Sequence, residues 1–231
     1  MLKNYKRCAD LVRRNNQAGG TYHQLDLGEG LVIQGDYDMT QYLQYYAIPE
    51  DLTGKRVLDV GTASGFFALE CARRGGDVTA IDIYAAESAL VAAIIDATGL
   101  DVKYVQKSIY DLTQDFGQFD LVICGSLLLH LPDQFGAVQR LRSVCSGRLV
   151  LSNACTEDSE TNPEPICKFL GAPGNDAEAA YWHYWSVSGA ALKQMLLAAG
   201  FAQVSDPVHF ILHAVPERKH FATPHVLLNA F

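Results

Sequence analysis

The sequence predicts a doubly wound α/β fold built on a mostly parallel sheet of seven strands, and three observations carry that expectation. From Lys55 onward, short Val/Leu/Ile-rich runs alternate with helical stretches, the rhythm of right-handed crossovers between parallel strands. Glycines stop the helical stretches, at Gly75, Gly99 and Gly200. The first apolar run leads straight into a glycine turn, VLDVGTASGFFAL, at the strand-to-helix junction where such sheets place a ligand crevice.

The elements follow in order. Residues 2–12 put Leu2, Tyr5, Cys8 or Ala9, and Val12 on one helical face, which predicts an N-terminal helix ending near Gln17 to Gly20. YHQLDLGEGLVIQG has two alternating runs around Gly28-Glu29-Gly30, a hairpin signal. RVLDV (56–60), DVTAIDI (77–83), VKYVQ (102–106), FDLVIC (119–124) and GRLVLSN (147–153) read as buried strands. Residues 66–74, 86–97 and 134–145 read as helices, the last with Phe135, Val138, Leu141 and Val144 at helical spacing. Residues 154–185 break the rhythm with Pro163, Pro165 and Pro173, an acidic cluster and YWHYW, which predicts an inserted lid. A helix over 188–199 and strands near 203–213 and 224–230 close the sheet. The organisation expected is an N-terminal helix and hairpin cap over 1–54 and a sheet domain over 55–231, without internal repeats.

At 231 residues the chain suits one domain with insertions, given roughly 150 residues per domain. With 49% hydrophobic and 19% charged residues it is not a disordered chain. No apolar run reaches the roughly 18 residues of a membrane span, and the start MLKNYKRCADLVRRNN lacks a signal-peptide apolar region, so a cytoplasmic protein without membrane association is expected. The net charge of −8 is uneven. Residues 1–14 hold five basic residues against one acidic, which leaves thirteen against twenty-five elsewhere, a net −12. Such a body repels phosphate backbones, so nucleic acid is a poor partner. The six cysteines form no C-x-x-C pair, and packed, reduced thiols are expected. His209, His213, His220 and His225 have no companion carboxylate at ligand spacing, so no metal is assigned.

The glycine turn separates two cofactor classes. Dinucleotide binding asks for G-x-G-x-x-G, whereas Gly61-Thr62-Ala63-Ser64-Gly65 is G-x-x-x-G with Asp59 two positions before it. A second acid, Asp82, ends the next strand about twenty residues on, where a carboxylate can accept from two ribose hydroxyls. That spacing disfavours a nicotinamide-dependent oxidoreductase.

At these residues the sequence resembles the class I S-adenosylmethionine-dependent methyltransferases, whose sheet is Rossmann-like. More narrowly, YHQLDLGEGLVIQG, LTGKRVLDVGTASGFFALECARRGGDVTAIDI, SIYDL and FDLVICGSLLLHLPDQFGAVQRLRSVC are similar to a bacterial group related to the tRNA wobble-uridine carboxymethyltransferases. The resemblance implies S-adenosylmethionine as cofactor. Asp59, Gly61, Thr62 and Gly65 would line its methionine end, Asp82 and Ile83 would meet the ribose, Ser108 and Ile109 would flank the adenine, and Gly125 and Ser126 would contact the methionyl amino and sulfonium region. Two departures from that group stand out: Ala63-Ser64 stands where Trp-Asp is frequent, and Leu129 stands where the tRNA enzymes carry a Tyr that helps hold a carboxylated cofactor. With the −12 body, the second departure favours ordinary S-adenosylmethionine and a small-molecule acceptor.

Methyl transfer needs alignment and, for a hydroxyl acceptor, a base. His130, just past SLLL, is the first candidate, and His183 inside YWHYW competes with it. The same insertion offers Tyr181, Trp182 and Trp185 as acceptor contacts, because methyltransferases of this class recognise acceptors in that segment. The expectation is a small-molecule O-methyltransferase, acting on a specialised metabolite or a sugar. The alternatives are a tRNA wobble-uridine alkyltransferase and a cofactor-binding module that has lost catalysis.

Overall fold

A computed structural model describes residues 4–171, 183–216 and 222–231. The chain forms two compact units, Met1–Ser108 with His213–Ala222 and Ile109–Leu212 with Thr223–Phe231. Seven of its strands make up one mostly parallel sheet, as the alternation of elements predicts.

The first unit opens with helix α1 (Tyr5–Gln17), capped by the Asn4 side chain, which accepts from the backbone N–H of Arg7. Its buried residues are Cys8 and Leu11, and Tyr5 is 51% exposed, so the buried face is rotated from the expected Tyr5, Cys8, Val12 stripe. The cause lies on the last turns: Asn16 donates to the Val32 carbonyl at 3.0 Å and accepts from the Gln34 N–H at 2.8 Å. That bracket turns the helix by its polar residues.

Four short strands follow: β1 (Thr21–His23), β2 (Leu25–Asp26), β3 (Val32–Ile33) and β4 (Gly35–Tyr37). Strands β2 and β3 pair antiparallel about Gly28-Glu29-Gly30, so the expected hairpin forms. Its outer arms do not continue it, because β1 and β4 pair in parallel, Thr21 with Gly35 and His23 with Tyr37. Gly35 permits the crossing: a Cβ there would lie 2.1 Å from the Gln24 nitrogen. A one-turn helix α2 (Leu43–Tyr46) then leads to β5 (Arg56–Val60), α3 (Phe66–Arg73), β6 (Asp77–Asp82), α4 (Ala85–Thr98) and β7 (Val102–Gln106). Strands β5, β6 and β7 are parallel neighbours. Val57, Leu58 and Val60 are successive apolar positions at 1% exposure or less, the unbroken burial of a parallel strand covered on both faces.

The second unit holds β8 (Phe119–Gly125), α5 (Gln134–Val144), β9 (Cys145–Ala154), β10 (Cys167–Phe169), β11 (Trp185–Val187), α6 (Gly189–Ala198), β12 (Val208–His213) and β13 (Ala222–Ala230). Strand β8 lies parallel to β9, and β13 lies antiparallel on the other side of β9. Leu149, Val150 and Leu151 are wholly buried. Within and just after the expected insertion over 154–185 a small antiparallel ladder forms, β10 on β11, with Phe169 opposite Trp185. Five of the six cysteines are buried, Cys167 is exposed, and none of the six is paired in a disulfide.

Candidate active site

In the first unit, the chemistry gathers where β5 and β6 end. Asp59 is 2% exposed, and its Oδ2 accepts from Thr62 Oγ1 at 2.6 Å and from the Ala68 N–H at 3.1 Å. One oxygen therefore ties the start of the loop to the first turn of α3. Burial raises this carboxyl to about 7; its two hydrogen bonds pull it down, and the charge of Asp82 adds to the rise.

Between these anchors the loop turns by left-handed residues at every second position, Gly61 at φ 72, Ala63 at φ 46 and Gly65 at φ 90. The N–H groups of Gly61 and Thr62 both donate to the Ile81 carbonyl, at 2.9 and 3.1 Å. Ala63 is the exception to the glycine rule, in a conformation that costs on the order of 1 kcal/mol. Its N–H donates to Asp82 Oδ2 at 2.9 Å, and Asp82 Oδ1 accepts from the Tyr84 N–H at 3.2 Å. Asp82 thus holds the loop and the end of β6 together while keeping a second lone pair on each oxygen. Ile83 beside it has an exposed side chain, and its carbonyl accepts from Gln106.

Ser64 is fully buried, and its Oγ accepts from the His23 N–H at 2.8 Å, which fastens β1 to the loop. His23 is 7% exposed, with the rings of Tyr22, Phe66 and Phe67 at 4.7, 6.0 and 6.3 Å. Burial lowers it to about 3, so the imidazole is neutral, and its buried Nδ1 has no hydrogen-bond partner. An unpaired buried polar atom costs about 1–3 kcal/mol. Sequence reasoning missed the residue, since only the parallel β1–β4 crossing brings it to the loop. Ser108, by contrast, is half-buried just past β7.

In the second unit, Ile109 is 4% exposed and opens a one-turn 3-10 helix. Gly125 ends β8, and Ser126 follows at φ 50, with its N–H donating to the Ser152 carbonyl at 2.9 Å and its Oγ 2.9 Å from His225 Nε2. Leu129 donates to Asn153 Oδ1 and its carbonyl accepts from the Tyr184 N–H, at 3.1 and 2.8 Å. Trp185 donates its indole N–H to the Pro132 carbonyl at 3.1 Å and rests on Phe169. These links bring together the two rivals for the base: the rings of His130 and His183 are 5.1 Å apart. Burial, and next the charge of His130, lowers His183. Tyr181, Trp182 and His220 lie outside the described residues. His209 is 3.0 Å from the Ser159 hydroxyl, and no cluster of three or more metal-ligating side chains is present among the described residues.

Residues 32–206 match the family described as "Methyltransferase domain". Curated relatives include the ubiquinone biosynthesis O-methyltransferase of Xanthomonas euvesicatoria, 38% identical over 114 residues that cover 48% of this chain and 47% of that protein. The enzyme of the same name from Xanthomonas oryzae is 33% identical over 151 residues, 58% of this chain and 63% of that protein. The chain therefore matches less than two thirds of either relative's length. Among solved structures, the N-terminal domain of EvdMO1 with SAH bound covers 96% of this chain and 95% of its own, with a TM-score of 0.67 at 18% identity. An S-adenosylmethionine-dependent methyltransferase from Mesorhizobium loti covers 84% of this chain and 97% of its own, with a TM-score of 0.62 at 16% identity. At such identities the likeness is one of fold, and it agrees with the sheet described above. With the family match spanning well over half of the sequence, the chain belongs to the methyltransferase-domain family.

Proposed function

We propose that the chain transfers a methyl group from S-adenosylmethionine to a hydroxyl of a small molecule, in the class of sugars and specialised metabolites. The observation that carries this reading is Asp82, a carboxylate at 8% exposure that pins the strained Ala63 N–H and still has an acceptor position on each oxygen. Two vicinal hydroxyls are the complement of that donor-free pair. The His23 backbone N–H holds the Ser64 hydroxyl, which supports a fixed loop at the methionine end. On this reading Asp82 and Ile83 meet the ribose, Gly61, Thr62 and Gly65 supply the backbone turn, and Asp59 holds that turn from behind. Ser108 and Ile109 flank the adenine, and Gly125 and Ser126 meet the amino end.

The donor supplies a methyl group on a positively charged sulfur, already activated for displacement by oxygen. The protein's part is to align the acceptor and to take its proton. His130 takes that proton, with His183 beside it, and Trp185 is a wall of the acceptor side. The relatives named as O-methyltransferases support oxygen as the accepting atom. Residues 1–54 serve as a cap, 55–231 as the transfer domain, 154–185 as the acceptor-facing insertion, and the cytoplasm as the compartment. Kinship with the wobble-uridine enzymes has no specific support beyond the sequence resemblance, and Leu129 speaks against the carboxylated donor.

Calorimetric titration with S-adenosylmethionine tests the reading. Asp82→Ala should weaken binding by about 1.5–3 kcal/mol, the range for hydrogen bonds to a charged group. Unchanged affinity in the folded variant removes Asp82 from the site. Once an acceptor is identified by turnover, His130→Ala should lower kcat by roughly 10²- to 10⁴-fold with donor affinity kept, whereas His183→Ala should raise KM more than it lowers kcat. Full turnover in His130→Ala, with the acidic limb of the pH profile lost in His183→Ala, reverses the two roles.

A further inference from the structure

Ser126 and His225 stand 99 positions apart in the chain and meet side chain to side chain at 2.9 Å. His225 is 4% exposed on β13, with the Phe210 ring stacked on it at 5.6 Å. Its Nδ1 lies 2.9 Å from the Thr223 carbonyl oxygen. A carbonyl only accepts, so Nδ1 carries the proton. Burial lowers the ring to about 4, the Thr223 contact opposing it, so at neutral pH there is one ring proton and Nε2 is bare. The Ser126 hydroxyl therefore donates to Nε2.

The consequence falls on Ser126. Its backbone N–H is taken by the Ser152 carbonyl and its O–H by His225. Both hydrogen-bonding protons of this half-buried serine are committed inside the protein, and its side chain offers a ligand only the lone pairs of Oγ. A serine in the left-handed region, at φ 50, is kept there by the contacts around it, so the direction of those lone pairs is set in advance. We propose that His225 is a positioning residue that makes Ser126 an acceptor-only group, selecting an ammonium on the bound ligand over a neutral or acidic substituent at that place. The inference rests on the donor reading above, in which the ammonium is the methionyl amino group.

The test uses the whole chain and two probes, S-adenosylhomocysteine and its analogue with hydrogen in place of the amino group. Wild type should prefer the amino-bearing probe by about 10- to 100-fold, the size of one hydrogen bond to a charged group. His225→Phe keeps the stacked ring and frees the serine hydroxyl, and the preference should shrink to roughly threefold, mainly through lost preorganisation. Ser126→Ala should abolish the preference, and adding His225→Phe to it should change nothing more. An undiminished preference in His225→Phe overturns the proposal. Nitrogen-15 spectra of the wild-type imidazoles give a second reading that needs no variant to fold: His225 should be the Nδ1-protonated tautomer at pH 7, and the Nε2-protonated form overturns the assignment. Binding of neither probe to wild type overturns the donor reading itself, whereas binding of both without discrimination overturns only the role given to Ser126.

Discussion

Asp59 and two histidines pull the acid stability of this protein in opposite directions. Asp59 rises from 3.8 to about 7 on burial, so its contribution is fully present below the unfolded value and is lost as pH rises through about 7. His23 and His225 fall from 6.5 to about 3 and about 4. Their contribution is present above 6.5 and is lost as pH falls toward those values. Two losses outweigh one gain of similar size, so stability should decline below pH 6.5. Asp59→Asn keeps an acceptor for Thr62 and Ala68, since both bond to a single oxygen, but it removes the opposing gain. The fall in Tm between pH 6.5 and 4 should therefore be steeper in the variant than in wild type. Parallel curves would mean that Asp59 is already ionised across that range.

The crossing of β1 and β4 is the element on which the loop's polar corner depends, because it carries His23 to Ser64. Gly35→Ala would push a methyl into the backbone of His23 and Gln24, with Gln24 N at 2.1 Å. Overpacking of this kind costs about 1–3 kcal/mol, and the donor affinity should fall with it because the His23 N–H would leave Ser64. Urea unfolding and titration together check this, and an unperturbed Cm with unperturbed affinity would show that the crossing is dispensable. The same element shows where the sequence stops being readable. Strands β5 to β9 were legible because each is a local apolar run stopped by glycine or followed by a helical period, and Asp59, Gly61 and Asp82 were legible because their spacing is local. The parallel β1–β4 pairing, the rotated face of α1 and the pairing of Ser126 with His225 are long-range matches, and no period or spacing within either partner announces them. The β10–β11 ladder was hidden for another reason. Its strands are three residues each, below the length at which alternation is a signal.

Charge is a property of the whole molecule, and its separation is smaller in the fold than in the sequence. The basic end of the chain spends Arg7 on Asp96 at 2.6 Å and Arg13 on Asp10 at 3.0 Å, so fewer cations remain for a phosphate backbone than the five of residues 1–14. Binding to bulk tRNA should be weak, with a slope of log K against log salt shallower than five contacts would give. Tight, salt-resistant tRNA binding after deletion of residues 1–14 would restore the tRNA-modifying alternative. A different consequence follows from the cysteines. Only Cys167 is exposed; burial lifts Cys145 and Cys155 to about 11 and pushes Cys8, Cys71 and Cys167 upward as well, so access to the reagent is what sets Cys167 apart. Because the thiolate is the reacting form, the native chain should take up one iodoacetamide quickly and the other five only as the structure opens. The protein thus carries its own clock of unfolding, and counting adducts by mass against time reads out which parts of it open first.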